Sequence, residues 1–371
     1  MRKAGMNMER VRQENRSLIL HYINNRGAAS RKEIASFTGL TQASVTQITT
    51  ALIAEGILVE AGKSEEKHTS PGRREVLLRI DAGNFLTFAV NAEPDITTAV
   101  ICDLTGNVIC GTDGELLLRQ FFTAESRNPQ PFTDRICGIF TELKSLVPAD
   151  RARRIECISF AITGIVDRER CISRRAYGIW AEEVDIRKRI GVRIGLPVLL
   201  ENNVDAFAIA ELIYGTGRKH GELLVIKWGP GVGSSVIIDG QVYRGRHEKT
   251  AELGHMIVDP AGERCICGRR GCLETTVSAK ALQNAGSDEI RHKAVDRFAR
   301  CIVNAGTIIA PSRIVLYGSL ADDKQLRDEL IRDCAAFDPS FGENRILHSS
   351  LSDKSCYIGP AALYTMHKIT S

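Results

Sequence analysis

Between His255 and Cys272 the chain crowds one imidazole and three thiols, those of His255, Cys265, Cys267 and Cys272, into one short stretch. Four such ligands complete the tetrahedral shell of Zn²⁺ and leave no position for a reacting water, so the set predicts a closed structural zinc site. Gly268 and Gly271 stand among the thiols, where a metal knuckle must turn tightly. Unligated thiols are the plain alternative, but the density of ligands favours zinc. The other eight cysteines (Cys102, Cys110, Cys137, Cys157, Cys171, Cys301, Cys334 and Cys356) have no comparable spacing and are expected in the core.

Carboxylates flank the knuckle. Glu252 precedes His255 by three positions, and Glu274 follows Cys272 by two. Asn202 and Asn203 come directly after an apolar stretch, Pro197 to Leu200, and its single following carboxylate. Fixed carboxylates and amides match the hydroxyls of a sugar ring, and each one left unpaired rejects the wrong ring. Singly, any of them is as readily a surface residue or a helix cap. Their combination is what predicts a cleft.

The elements that must hold this set alternate between strand and helix from Phe85 onward, which implies an α/β class. Phe85 to Asn91 and Ile96 to Asp103 read as paired strands, and Leu223 to Trp228 with Val232 to Asp239 repeats the pattern. Each pair runs into a turn ending in Gly-x-Val, Gly106-Asn107-Val108 and Gly240-Gln241-Val242, and then into a third strand. An internal duplication of this kind predicts two similar lobes with a cleft between them. Ile155 to Thr163 and Ile314 to Leu316 are further core strands. Gly164 and Gly318 at their ends mark places where a ligand approaches the backbone.

The chain up to Ile80 follows a different plan. Leu18, Ile19, Tyr22 and Ile23 fall at helical spacing in a helix from Glu14 to Arg26, closed by Gly27. Ser30 and Glu33 form a capping-box pattern before a second helix with Ile34, Ala35 and Phe37 inward. Gly39 ends it, and Thr41 opens a third helix with Val45, Ile48 and Leu52 on one face. Two strands, Ile57 to Ala61 and Glu75 to Ile80, complete a winged helix-turn-helix. Gln42, Ser44 and Gln47 are the candidates for reading base edges, beside Thr41. Arg31 and Lys32 suit phosphates, and Arg73 and Arg74 suit a narrow minor groove. The competing use of such a module is protein interaction.

Charge favours nucleic acid. The net charge of the 371-residue chain is +4, yet residues 1–80 hold 13 Lys/Arg against 8 Asp/Glu, so the whole excess lies in the first fifth. With 43% hydrophobic and 25% charged residues the composition is that of a folded globular protein. No apolar run reaches bilayer length and no apolar stretch follows the charged start, so neither a membrane span nor a signal peptide is expected; the eleven cysteines then read as reduced thiols of a cytoplasmic protein.

The run Ala251-Glu252-Leu253-Gly254-His255-Met256 followed by the Cys265 to Glu274 knuckle resembles the ROK family of repressors and sugar kinases, as do Gly164-Ile165-Val166-Asp167, Glu201-Asn202-Asn203 and the Gly229 to Gly233 loop. The resemblance spans nearly the whole chain, and its most specific part is the knuckle. It implies an actin/hexokinase-like two-lobed fold, zinc on His255, Cys265, Cys267 and Cys272, and sugar contacts from Asn202, Asn203, Glu252, His255 and Glu274. His255 would serve both, with one ring nitrogen on the metal and the other toward the sugar. An N-terminal winged helix is the arrangement of the family's repressor branch.

Three departures from the kinase pattern decide what the resemblance implies for activity. Asn91-Ala92-Glu93-Pro94-Asp95 stands where the kinases carry a glycine-rich phosphate loop. Asn203 replaces the aspartate that takes the hydroxyl proton, and Asp205 is out of register with it. Pro230 in Gly229-Pro230-Gly231 lacks both a hydroxyl and an N–H. A further departure, Ser173-Arg174-Arg175-Ala176-Tyr177-Gly178 before Trp180, leaves open a cleft arginine and with it a charged or phosphorylated sugar.

The expected architecture is residues 1–80 as a winged helix, 81–198 as the first lobe completed by a C-terminal helix at 357–371, and 199–356 as the second lobe. The expected activity is a non-enzymatic regulator of operator DNA, working as a homodimer or dimer of dimers and released by a sugar or sugar phosphate. A kinase with residual activity and a regulator answering to a protein partner are the alternatives.

Overall fold

Ser30 sets the start of the second helix. Its hydroxyl accepts from the Glu33 N–H (3.2 Å) while the Glu33 carboxylate accepts from the Ser30 N–H (2.7 Å), a reciprocal cap that satisfies two otherwise orphan donors. Gly39, at φ 71°, closes that helix, and Thr41 caps the next. The computed structural model describes residues 8–63, 75–126, 128–245 and 251–370. Helices α1 (Met8–Arg26), α2 (Arg31–Thr38) and α3 (Gln42–Ala54) precede an antiparallel hairpin of β1 (Leu58–Lys63) and β2 (Val76–Ile80), with Ala29–Ser30 adding a short third strand to β2. Ile19, Leu20, Ile23, Ile34, Val45, Leu52 and Leu78 are buried at the centre of this winged helix-turn-helix.

Phe37 corrects the expectation that it points inward. It is 66% exposed and stacks on Tyr22 with ring centroids 4.4 Å apart. It belongs to the last turn of the short helix α2, beyond the core that Ile34 occupies.

The duplication read from the sequence is present as two sheets of one topology. In the first lobe β3 (Leu86–Ala92), β4 (Ile96–Asp103), β5 (Leu118–Phe122), α4 (Pro129–Leu146), β6 (Ile155–Ile162) and β7 (Val198–Asn202) form a sheet ordered β5-β4-β3-β6-β7. Helix α5 (Asn203–Ile213) leads to the second lobe, where β8 (Leu223–Trp228), β9 (Val232–Ile238), β10 (Gln241–Val242), α6 (Asp288–Ile309), β11 (Arg313–Tyr317), α7 (Lys324–Phe337) and β12 (Ile346–His348) give a sheet ordered β10-β9-β8-β11-β12. In both, the three hairpin-connected strands are antiparallel and the two crossover strands parallel.

Two details differ from the expectation. Val108 makes only a bridge to Cys102, and the third strand of the first sheet comes later, at β5. The boundary expected at 198/199 cuts through β7, which pairs with β6 from Val198 to Asn202 and so belongs to the first sheet.

The C-terminal helix α8 (Ile358–Thr370) lies on the first sheet and against α5, and α1 seats the winged helix on α8 and α5. Tyr214 locks this junction: its hydroxyl lies 2.9 Å from the Leu104 carbonyl and 2.7 Å from the Thr365 hydroxyl of α8. No helix of the described residues is long and apolar enough to cross a membrane. Tyr214→Phe keeps the ring and removes the hydroxyl. It is expected to lower unfolding stability by roughly 1–2 kcal/mol, measured by urea denaturation. An unchanged midpoint would show that water replaces those bonds without loss.

Candidate functional site

The first sheet presents the C-terminal ends of its parallel strands, the place where open α/β sheets bind ligands, to a cleft of about 550 Å³, and the second lobe faces it with Lys227 near the end of β8, the start of β9 and the loops carrying Glu252, His255 and Glu274. Asn202, Asn203, Glu252, His255 and Glu274, the residues expected to contact a sugar, all line it. Arg174 and Arg175 do not. Arg174 is paired with Asp167 (2.8 Å) and Glu183 (3.2 Å), and Arg175 stands over the Tyr177 ring at 5.3 Å.

His255 arrives on a single 3-10 turn, Leu253–His255. Gly254 permits it, because a Cβ there would fall 2.0 Å from the Val232 carbonyl oxygen of β9. Gly271 does the same for the thiols: its φ is 68°, and a Cβ would meet the Asp259 carbonyl at 1.5 Å. The ligand atoms of His255, Cys265, Cys267 and Cys272 consequently lie within 4.8 Å of one another. Cys267 and Cys272 sulfurs are 3.6 Å apart, close to the edge of roughly 3.8 Å that Zn–S bonds of about 2.3 Å imply for a tetrahedron. The donor set and its spacing therefore fit a structural zinc ion. The His255 Nδ1 faces Cys265 (3.6 Å), while the residue also lines the cleft and the Tyr177 ring stands edge-on to it.

The side chains around the cleft are already partnered. Asn202 caps α5: its Oδ1 accepts from the Val204 N–H (2.8 Å), and its Nδ2 donates to the Gly164 carbonyl (2.8 Å). Glu274 accepts from the Val232 N–H at 2.9 Å, and Glu252 pairs with Arg269 at 3.2 Å. Asn203 donates to Glu93 at 2.9 Å. Glu93 in turn is ion-paired with Lys227, a contact that joins the end of β3 to β8 and thus one lobe to the other. Burial works to raise the Glu93 carboxyl pKa. The Lys227 charge and hydrogen bonds from Lys227, Asn203 and Asn91 outweigh it and hold the group below its usual value.

Sequence reading missed Lys227, although one signal was available: it is the only charge in the otherwise apolar strand Leu223–Trp228. It also missed the buried charge cluster behind Asn202. Glu201, 1% exposed, is held by Arg244 (2.9 Å) and Arg168 (3.4 Å), and the Ser235 hydroxyl donates to Asp205 at 2.6 Å. Burial pushes the Asp205 carboxyl up to about 6, with the Glu201 charge adding to it against Ser235, Arg244 and Arg168.

On the winged helix, Gln42 and Gln47 are exposed along α3, while Thr41 and Ser44 are partly spent on the helix cap, their hydroxyls 2.9 Å apart. Arg31 donates to the Thr49 hydroxyl (3.0 Å), and Lys32 pairs with Glu75 at 3.4 Å. Arg73 and Arg74 lie outside the described residues.

Known proteins resemble this chain in sequence and in fold. A family model described as the ROK family matches residues 107–296. The xylose repressor of Bacillus subtilis (strain 168) is 27% identical over 272 residues, 73% of this chain and 67% of the repressor. The DNA-binding transcriptional dual regulator NagC of Escherichia coli (strain K12) is 26% identical over 277 residues, 75% of this chain and 65% of that protein. Among solved structures, a ROK family transcriptional regulator homologous to the Escherichia coli MLC protein superposes with a TM-score of 0.72 at 20% identity, covering 97% of this chain and 99% of its own. A ROK glucokinase from Streptomyces griseus, in complex with glucose and AMPPNP, superposes with a TM-score of 0.61 at 23% identity, covering 74% and 98%.

Two outcomes test the site. Cys267→Ser is expected to drop metal content, read by elemental mass spectrometry, from about one zinc per chain to a small fraction, because three ligands hold zinc far more weakly than four. Full zinc retention would remove Cys267 from the shell. For Asp205, a raised folded pKa means the folded state keeps a proton that the unfolded chain has released, so this group's stability contribution falls as pH rises between about 4 and about 6. Asp205→Asn is expected to remove that slope and to exceed the native chain at neutral pH by on the order of 1 kcal/mol in thermal denaturation. A lower Tm than native at neutral pH would reverse the sign.

Proposed function

The chain belongs to the ROK family, and from that membership we propose that it is a DNA-binding transcriptional regulator whose cleft takes a sugar effector and performs no phosphoryl transfer. The fold alone does not decide between regulator and kinase, since regulators and kinases share it. The observation that carries the reading is helix α5, which touches both the cleft and the winged helix. Its first residue, Asn203, lines the cleft, and its last carbonyl, Ile213, accepts from the Asn24 side chain of α1 at 2.7 Å. Just beyond α5, Arg218 donates to the carbonyls of Asn24 and Asn25. A ligand that rearranges the cleft end of α5 therefore bears on the base of the DNA-binding module.

In this mechanism a sugar hydroxyl set engages Glu252, His255 and Glu274, the lobes adjust around it, and α5 carries the displacement to α1. Gln42, Ser44 and Gln47 of α3 would read base edges, with Arg31 and Lys32 near phosphates. His255, Cys265, Cys267 and Cys272 would hold a zinc ion, which would supply a rigid tether for the imidazole. The chain's own residues do the binding. Repression relieved by sugar requires the ligand to prefer the released state, and moving a 99:1 population to 1:99 takes about 5.5 kcal/mol of differential affinity. Homodimerisation would place two α3 helices on a pseudo-palindromic site.

Asn203, Glu93 and Pro230 support the non-enzymatic side. An amide cannot accept the hydroxyl proton, and a carboxylate occupies the turn where phosphate needs N–H donors. The test starts from genomic fragments selected on the purified chain, followed by fluorescence anisotropy with and without a sugar panel that includes xylose and N-acetylglucosamine. Sugar is expected to weaken DNA binding at least about tenfold, with no ADP release in a coupled assay. Asn24→Ala is expected to leave sugar affinity intact and shrink the DNA response. Failure to bind any DNA at low salt, or sugar-dependent ADP release at kinase rates, would overturn the proposal.

A further inference from the structure

Two features of the cleft define the chemical class of its ligand. The cation set into its wall, Lys227, is only 14% exposed and is already neutralised by Glu93. The next residue after Glu93 is Pro94, which has no N–H to offer. On the opposite side, the Val232 N–H that follows Gly229-Pro230-Gly231 is taken by Glu274. Arg168 is turned onto Glu201, and Lys280 stands exposed at the rim. Against these stand six lining carboxylates: Glu93, Asp95, Glu201, Asp205, Glu252 and Glu274.

We propose that the cleft binds an uncharged, unphosphorylated sugar, and that Glu93 is the specificity residue that excludes phosphate esters by holding Lys227. The proposal rests on the reading of the cleft as an effector site and narrows it. Ionised carboxylates are acceptors only, so they demand a ligand rich in donors. Sugar hydroxyls supply donors. A phosphate dianion supplies only acceptors and adds like charge beside a low-dielectric wall, a pairing that suppresses wrong partners strongly. Glu93 is fixed in this role from three sides, by Lys227, by Asn203 at 2.9 Å and by the Asn91 amide at 3.5 Å. Of the arginines left open by the sequence, Arg174 is paired with Asp167 and Glu183 away from the cleft lining, and Arg175, not itself a lining residue, stands over the ring of the lining residue Tyr177.

The experiment is isothermal titration of the full-length chain with matched pairs: glucose and glucose 6-phosphate, N-acetylglucosamine and its 6-phosphate, xylose, and inorganic phosphate alone. At least one neutral member is expected to bind, and a phosphorylated partner to bind at least about a hundredfold more weakly. Glu93→Gln keeps the size of the side chain and an oxygen for Asn203 while freeing Lys227. It is expected to gain phosphate-ester binding and to narrow the neutral-to-phosphate ratio about tenfold or more. Glu93→Asp, which keeps the charge, is expected to restore rejection, and circular dichroism checks that both variants fold. A native chain that binds a sugar phosphate as tightly as its neutral partner overturns the proposal and leaves the sugar-effector reading standing. So does an unchanged ratio in folded Glu93→Gln. Absence of binding by every sugar, neutral or phosphorylated, overturns both.

Discussion

Helix α5 is apolar on almost every side, and a helix of that kind is stable only when it is enclosed. From Asn203 to Ile213 every residue except Asp205 is buried, with Phe207 stacked 3.6 Å from the Tyr317 ring of the second sheet. The enclosure is built from distant parts of the chain: the first sheet, the second lobe's β9, the C-terminal helix α8 and the first helix α1. Gly359 of α8 lets that helix approach closely, since a Cβ there would stand 3.1 Å from the α5 backbone. The need to cover one apolar helix thus brings the two lobes, the C-terminus and the winged helix to a common centre.

Polar groups at the ends of α5 turn that centre into a site. Its N-terminal end carries Asn202, Asn203 and Asp205 into the cleft, while its C-terminal turn carries the buried Glu211, which accepts from Ser349 and from the Thr216 N–H (2.8 Å). Buried and half-buried carboxylates are costly unless paired or hydrogen-bonded, and each here has its partner: half-buried Glu93 has Lys227, buried Glu201 has Arg168 and Arg244, half-buried Asp205 has Ser235. Such pairs contribute little net stability against an apolar equivalent, but breaking one is expensive. They therefore fix geometry. The Glu93–Lys227 contact links β3 to β8 inside the cleft, so an event that disturbs it is felt by both lobes.

The His255–Cys272 knuckle, whose four ligands could hold a metal ion, performs the complementary task from the second lobe. Glycine contacts press the Leu253–His255 turn onto β9 and the thiol loop onto Asp259, which leaves His255 immobilised between the metal ligands and the cleft. An imidazole that lines the cleft and is held in this way would lose little conformational freedom if a ligand bound to it. Stiff contact residues on one lobe and a charge contact bridging to the other are the parts a ligand-driven rearrangement requires.

Much of this was legible in the sequence wherever the signal was local. The imidazole and three thiols crowded between His255 and Cys272, the capping box from Ser30 to Glu33, the helical spacing up to Ala54 and a strand pattern repeated in both halves depend on short-range geometry that period and spacing encode. The cleft residues Asn202, Asn203, Glu252, His255 and Glu274 were found through family motifs and do converge. What the tertiary structure alone decided is which charges meet. Glu93 and Lys227 are 134 residues apart, Glu201 and Arg244 are 43 apart, and Asn24 and Ile213 are 189 apart. Phe37 likewise took the exposed side of its helix because the core stops short of it. An ion pair or a helix contact across such separations follows from how sheets and helices pack, and packing is set by the whole apolar pattern at once, which no single window of sequence contains.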